Sequence, residues 1–268
     1  MNRLLLLGSL LALAACDSAT DQPAYPTTLR PLSEAEQASA TQAYLEANDG
    51  RMVTDSEVYG GELEHLNAYG LTELSRGCFV PTPKASAPAI GEDAAVEIAT
   101  SALVQNARFT NVAAEGDLRV ERARALERDG RGSWQVRFEH QTVEGAKVHE
   151  TGIVVTLDAD GAFCIDGHWY DDVAFAPSPL SPAEALAAVV GDSIEREGDR
   201  GSERVVVLTE ADLPPAGDAV QSVLPVVYED RIELRTVWEF PVLDSEFRLY
   251  VDATDGEILR VDQNVTRN

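Results

Sequence analysis

Val154-Val155-Thr156-Leu157-Asp158-Ala159-Asp160-Gly161-Ala162-Phe163 is echoed near the end of the chain by Arg248-Leu249-Tyr250-Val251-Asp252-Ala253-Thr254-Asp255-Gly256-Glu257-Ile258. Each stretch alternates apolar and polar side chains, turns at Asp-x-Asp-Gly or Thr-Asp-Gly, and alternates again, the pattern of two half-buried strands joined by a turn. Upstream of each lies an alanine-rich helical pattern, residues 92–105 in the first case and 181–190 in the second. The repeat predicts an α+β fold of two tandem modules, each a helix packed on a small antiparallel sheet.

In the first half, Ala95, Ile98, Ala99, Ala102 and Leu103 form a helical stripe. Strands are predicted from about Leu118 to Leu126, through Trp134, Val136 and Phe138, from Val148 to Leu157, and from Ala162 to Trp169, with turns at Asp129-Gly130 and Glu144-Gly145. A proline-rich joint, Ala176-Pro177-Ser178-Pro179-Leu180, separates this half from the next. There Ser181 caps a helix, with Pro182 at its first position, Glu184 completing a capping box and Gly191 stopping it. Glu195 to Ser202 reads as a charged loop, followed by strands near residues 204–208, 223–228, 232–240, 247–251 and 257–262.

At the amino terminus, MNRLLLLGSLLALAAC has one base, Arg3, an apolar run too short for an ordinary membrane span, and small residues before a cysteine. Leu13-Ala14-Ala15-Cys16 resembles the lipobox of bacterial lipoproteins, which implies cleavage before Cys16 and lipidation of that residue. Several acyl chains on one residue hold a protein to a bilayer far better than one. Asp17 resembles the inner-membrane retention signal of enteric lipoproteins, a rule that varies among bacteria and leaves the choice of membrane open. Residues 16–31 read as a flexible tether. Residues 32–87 read as a helical and irregular lead-in, with a Ser33-x-x-Glu36 capping box opening a helix to about Ala47.

The formal charge is −25, and loss of residues 1–15, which carry Arg3 and no acid, takes it to −26. Such a field repels phosphate backbones, and no Lys/Arg cluster offsets it, so nucleic-acid binding is not expected. Attraction to a basic partner is one reading of the acid; solvation of an exported surface is the other. With Cys16 lipidated, Cys78 and Cys164 remain in an oxidising compartment, where such a pair forms a disulfide. The long loop so closed would contribute on the order of 4 kcal/mol. The alternative is that Cys164 is a small core residue unrelated to Cys78.

Trp238-Glu239-Phe240 followed by Leu249-Tyr250-Val251-Asp252-Ala253-Thr254-Asp255-Gly256-Glu257-Ile258-Leu259 resembles the end of a PepSY domain, with its YVDAxTGEIL pattern, and Leu180-Ser181-Pro182-Ala183-Glu184-Ala185 is similar to the start of that domain's helix. Val136-Arg137-Phe138 through Gln141, Gly145 and Val148 resembles the FTP domain, which precedes PepSY in propeptides of thermolysin-like and fungalysin metallopeptidases. The resemblance covers about residues 88–265 and implies a cystatin-like FTP module over 88–176 and a PepSY module over 177–268. Such modules assist and restrain a protease. Because the chain ends at Asn268, where those precursors continue into the catalytic domain, action in trans is expected.

No His-Glu-x-x-His occurs, since His149-Glu150 is followed by Thr151-Gly152-Ile153; nor does Gly-x-Ser-x-Gly or a phosphate-binding glycine loop. Neither an enzyme nor a cofactor is expected. A two-residue turn at Glu144-Gly145 would place His140 opposite His149, a weak metal or pH-sensitive pair, or else two partly exposed strand-end histidines. His65 and His168 have no evident reason to join them. Asp158 to Gly161 resembles the start of a calcium loop without its later ligands and reads as a β-turn. Trp134, Trp169 and Trp238 read as core or sheet-face residues. The functional expectation is a non-enzymatic, lipid-anchored envelope protein that binds a polypeptide, with inhibition or escort of a peptidase in trans as its sharper form. The alternative is a structural or small-ligand-binding envelope lipoprotein.

Overall fold

The computed structural model describes residues 24–30, 33, 35, 38, 39, 42, 46, 52–54, 77–79 and, with short gaps, 90–263. The signal and lipobox, Cys16, Asp17, His65, the Asp129-Gly130 turn and most of the lead-in lie outside the described residues. Fifteen strands are described: β1 (Thr27–Leu29), β2 (Met52–Thr54), β3 (Gly77–Phe79), β4 (Val120–Arg128), β5 (Arg131–Phe138), β6 (Thr142–Val143), β7 (Ala146–Val148), β8 (Gly152–Asp158), β9 (Gly161–His168), β10 (Ser193–Glu197), β11 (Glu203–Val207), β12 (Val220–Val227), β13 (Ile232–Val242), β14 (Phe247–Asp252) and β15 (Ile258–Gln263). The α-helices with described bounds are α1 (Glu92–Gln105), the single turn α2 (Ala107–Thr110) and α3 (Pro182–Ala188).

The strands form a six-stranded sheet in the order β2-β3-β9-β8-β5-β4, a seven-stranded sheet in the order β15-β14-β13-β12-β7-β6 with β1 also on β13, and a β10-β11 ribbon. This overturns the expectation of two tandem helix-on-small-sheet modules. Most of the predicted strands exist; their assembly is different. The single strand expected from Val148 to Leu157 breaks over residues 149–151, with φ 58° at Glu150 and φ 120° at Gly152, where β8 begins. The freed β6–β7 hairpin crosses to the second sheet and pairs in parallel with β12, Ser222 beside Lys147 and Val223 beside Val148. β10 occupies part of the segment read as a loop. β1 lies within the segment read as a tether, yet Thr27 pairs with Leu234 and the Tyr25 hydroxyl accepts a bond of 3.0 Å from the Thr236 amide.

The cores follow the same crossing. α1 lays Ala95, Ala99 and Leu103 on Val136, Phe138, Val155, Leu157 and Ile165 of the first sheet. α3 sets Ala185, Leu186 and Val189 against Phe240, Val242, Leu249 and Val251 of the second. A further cluster joins Val148 and Tyr170 to Val223, Ile232 and Leu234, so buried apolar contact runs across the proline joint.

Local instructions are nonetheless obeyed. The Ser181 hydroxyl accepts from the Glu184 amide and the Glu184 carboxylate accepts from the Ser181 amide, the predicted capping box. In each half a strand tryptophan reaches back to the residue two before the helix: the Trp134 indole donates to the Ile90 carbonyl at 3.2 Å, and that of Trp238 to the Leu180 carbonyl at 2.8 Å. The Asp-Gly turn of the second half packs directly on its helix. Gly256 has φ 82°, and a Cβ there would stand 2.5 Å from the Ala188 methyl, so only glycine meets both demands.

Candidate functional site

β13 sorts its side chains by alternation. Ile232, Leu234, Trp238, Phe240 and Val242 belong to the cores just described, while Glu233, Arg235, Val237 and Glu239 share the opposite face. Register adds Tyr250 opposite Glu239, Asp252 opposite Val237 and Arg260 opposite Tyr250. The result is an apolar centre of Leu224, Val237 and Tyr250 with a polar network at each end.

One network clusters around the crossover hairpin. His149, just beyond β7, directs Nε2 to Glu239 Oε1 at 2.7 Å and to Ser222 Oγ at 3.2 Å. The Arg248 guanidinium donates to the other Glu239 oxygen at 2.9 Å. The His149 ring meets Tyr250 edge-on, with centroids 5.1 Å apart and planes at 89°. Burial alone would raise the Glu239 pKa, but the bonds from His149 and Ser222, the histidine's charge and Arg248 together hold it at about 2. Tyr250 is pushed up to about 12 by burial and by its 2.9 Å hydrogen bond to the Asp262 carboxylate. Arg260 bonds Asp262 at 2.7 Å, reaches Glu150 and lies 5.4 Å from the Tyr250 ring centre. At the other end Arg235 bridges Glu233 at 3.2 Å and the fully buried Asp252 at 2.7 Å.

Ser222, His149 and Glu239 are the residue types of an acyl-transfer triad, but their geometry is not. Hydroxyl and carboxylate both address the same ring nitrogen, whereas a triad uses one nitrogen for each, and Ser222 is fully buried. Chemically the trio is a clasp that holds the end of β7 on β12 and β13.

The Glu144-Gly145 turn forms, with φ 50° and 86° as a type I′ hairpin requires, and Val148 donates its amide to the Gln141 carbonyl at 2.9 Å. His149 then points to β12 and β13, while His140 is exposed with Nδ1 near Gly152. Among the described residues no group of three or more His, Cys, Asp or Glu side chains converges as a metal site. The β3–β9 register sets Cys78 directly opposite Cys164. Trp169 is buried in the first core. Sequence reasoning missed Glu239, Ser222, Arg248, Tyr250 and Asp262. A signal was present: Glu239 sits between Trp238 and Phe240 in a central strand, where a carboxylate needs counter-ions on its neighbours.

A cleft of about 360 Å³ opens nearby, lined by Asn111, Arg119, Gln141, Trp169, Tyr170 and Asp171 among others. The Gln141 amide is engaged on both sides by the Tyr170 backbone, at 2.7 Å and 3.0 Å. Among the described residues, no helix is long and apolar enough to cross a membrane.

No family model matches the chain, and no curated relative matches it. Among solved structures it is similar to the Bacillus megaterium YpeB C-terminal domain, at 12% identity over 87% of this chain and 98% of that one, with a TM-score of 0.31. A likeness that loose carries no argument about this chain's role.

Proposed function

We propose that this chain is a non-enzymatic envelope protein, lipid-anchored through Cys16, that binds an extended segment of another polypeptide by strand addition. The observation that carries the proposal is an open edge: nine-residue β4 pairs with β5 on one side and, among the described residues, with no strand on the other. An extended peptide satisfies such an edge with main-chain hydrogen bonds. The propeptide-like motif residues supply the sharper form, a metallopeptidase restrained or escorted in trans, and rest on sequence resemblance alone now that the tandem-module architecture is set aside. With Tyr25 and β1 docked on β13, any tether to Cys16 has fewer than ten residues, a reach of roughly 30 Å.

The test uses the full-length chain in detergent micelles, because truncation through residue 31 would delete β1. The protein should slow a co-occurring metallopeptidase or retain a defined envelope protein on an affinity column; failure in both removes the support. The cleft beside Trp169 favours a second reading, a small-ligand lipoprotein. Under that reading a lipid, peptidoglycan fragment or cation raises the melting temperature by mass action, while peptide binding is absent.

A further inference from the structure

Six of the chain's 21 basic residues fall between positions 119 and 137, alongside three acids, in a protein of net charge −25. Spread along the sequence they make no block. The β4–β5 pairing gathers them: Arg122 lies directly opposite Arg137, and Arg124 follows on the same face two residues along β4. Arg119, Arg122, Arg124 and Arg137 are all exposed. Among the described residues Glu121 is a counter-ion to this group, 3.9 Å from Arg137 with both side chains more than half exposed, an arrangement that contributes little. Directly opposed like charges destabilise a strand pair, so the first sheet carries at β4, which pairs only with β5 among the described residues, an electrostatic cost that an anionic neighbour would relieve.

The geometry points to the outer edge of β4 as a docking strand for an acidic, extended segment of a partner protein. This inference rests on the strand-addition reading and specifies the partner's chemistry. A strand laid along β4 places alternate side chains about 5 Å from those of Arg122 and Arg124, so acids at every second position meet the arginines. The intervening positions face Ala123 and Ala125 and take small or apolar side chains. A second copy of this chain fits poorly, because antiparallel β4–β4 pairing would oppose arginine to arginine. A polyphosphate backbone has no amides to match the edge.

The probe is a fluorescein-labelled twelve-residue peptide of alternating glutamate and valine, titrated by anisotropy against the full-length protein in neutral detergent. Binding is expected. It should fall by at least about ten-fold in the Arg122→Glu/Arg124→Glu variant, partly in Arg122→Gln/Arg124→Gln, and with a peptide N-methylated at alternate amides. Melting curves of the two variants establish that both fold. No binding, equal binding by the charge-reversed variant, equal binding of the N-methylated peptide, or arginine-dependent binding confined to DNA or anionic vesicles would each overturn the assignment. If the charge-reversed variant still retains the envelope protein captured by the wild type, the polypeptide-binding reading stands and the β4 site falls. If the acidic peptide binds β4 while no envelope protein is retained, the edge chemistry stands and the broader role falls.

Discussion

Glu239 keeps its charge while buried on β13 because three neighbours address its two oxygens. A carboxylate whose folded pKa lies near 2, against an ordinary 4.5, stabilises the fold fully above about pH 4.5 and loses that contribution as pH falls toward 2. The shift corresponds to roughly 3 kcal/mol at most. Urea unfolding at neutral pH, pH 4.5 and pH 2.5 should show stability falling through this acid window. His149→Ala should cost about 2 kcal/mol at neutral pH, since Arg248 remains to hold the carboxylate, and should flatten the acid loss because Glu239 then titrates nearer its ordinary value. An unchanged acid profile in that variant would mean that the histidine does not set the Glu239 pKa. At Cys78 and Cys164, opposed in the β3–β9 register, we expect a cross-strand disulfide. Mass spectrometry of a non-reduced digest should recover one linked peptide; alkylated thiols at both positions would refute the bond.

Elements written in short-range code were legible. Helix α3 follows from Ser181, Pro182, Glu184 and Gly191; α1 from its alanine stripe; and the I′ turn from Glu144-Gly145. Pairing between distant elements was not, because apolar alternation states which face is buried and never which strand lies alongside. Val148 and Ile153 both read as inward residues of one strand, and nothing in their spacing announces that the chain leaves one sheet between them. Hence the hairpin's parallel docking on β12, and with it the His149–Glu239 contact, lay beyond reach, although the oddity of Glu239 between two aromatics was visible. The α3–turn contact gives an element-scale prediction. Gly256→Ala forces a side chain into a positive-φ position 2.5 Å from Ala188 and should destabilise the protein by about 1–3 kcal/mol, with amide exchange accelerating in α3 and β15 before the first sheet is affected.

For the molecule as a whole, the second sheet draws β1, β6 and β7 from one side of the proline joint and β12 to β15 from the other, with Val148, Tyr170 and Val223 in one buried cluster. Residues 88–176 and 177–268 expressed separately should therefore fail to fold, and the intact chain should unfold in one transition by both tryptophan fluorescence and far-ultraviolet dichroism. Two separated transitions would restore the independent units that the repeat first suggested. That repeat marks similar local chemistry, seen in the paired Trp134 and Trp238 bonds, within an assembly whose halves share strands.

The bond from the Thr236 amide to the Tyr25 hydroxyl closes 211 residues of chain. Ring closure on that scale comes late, after nearer contacts have cut its entropic cost. During synthesis the first described strand therefore waits until β13 has emerged before its partner exists, and over that interval its unmatched edge is open to wrong partners and proteases.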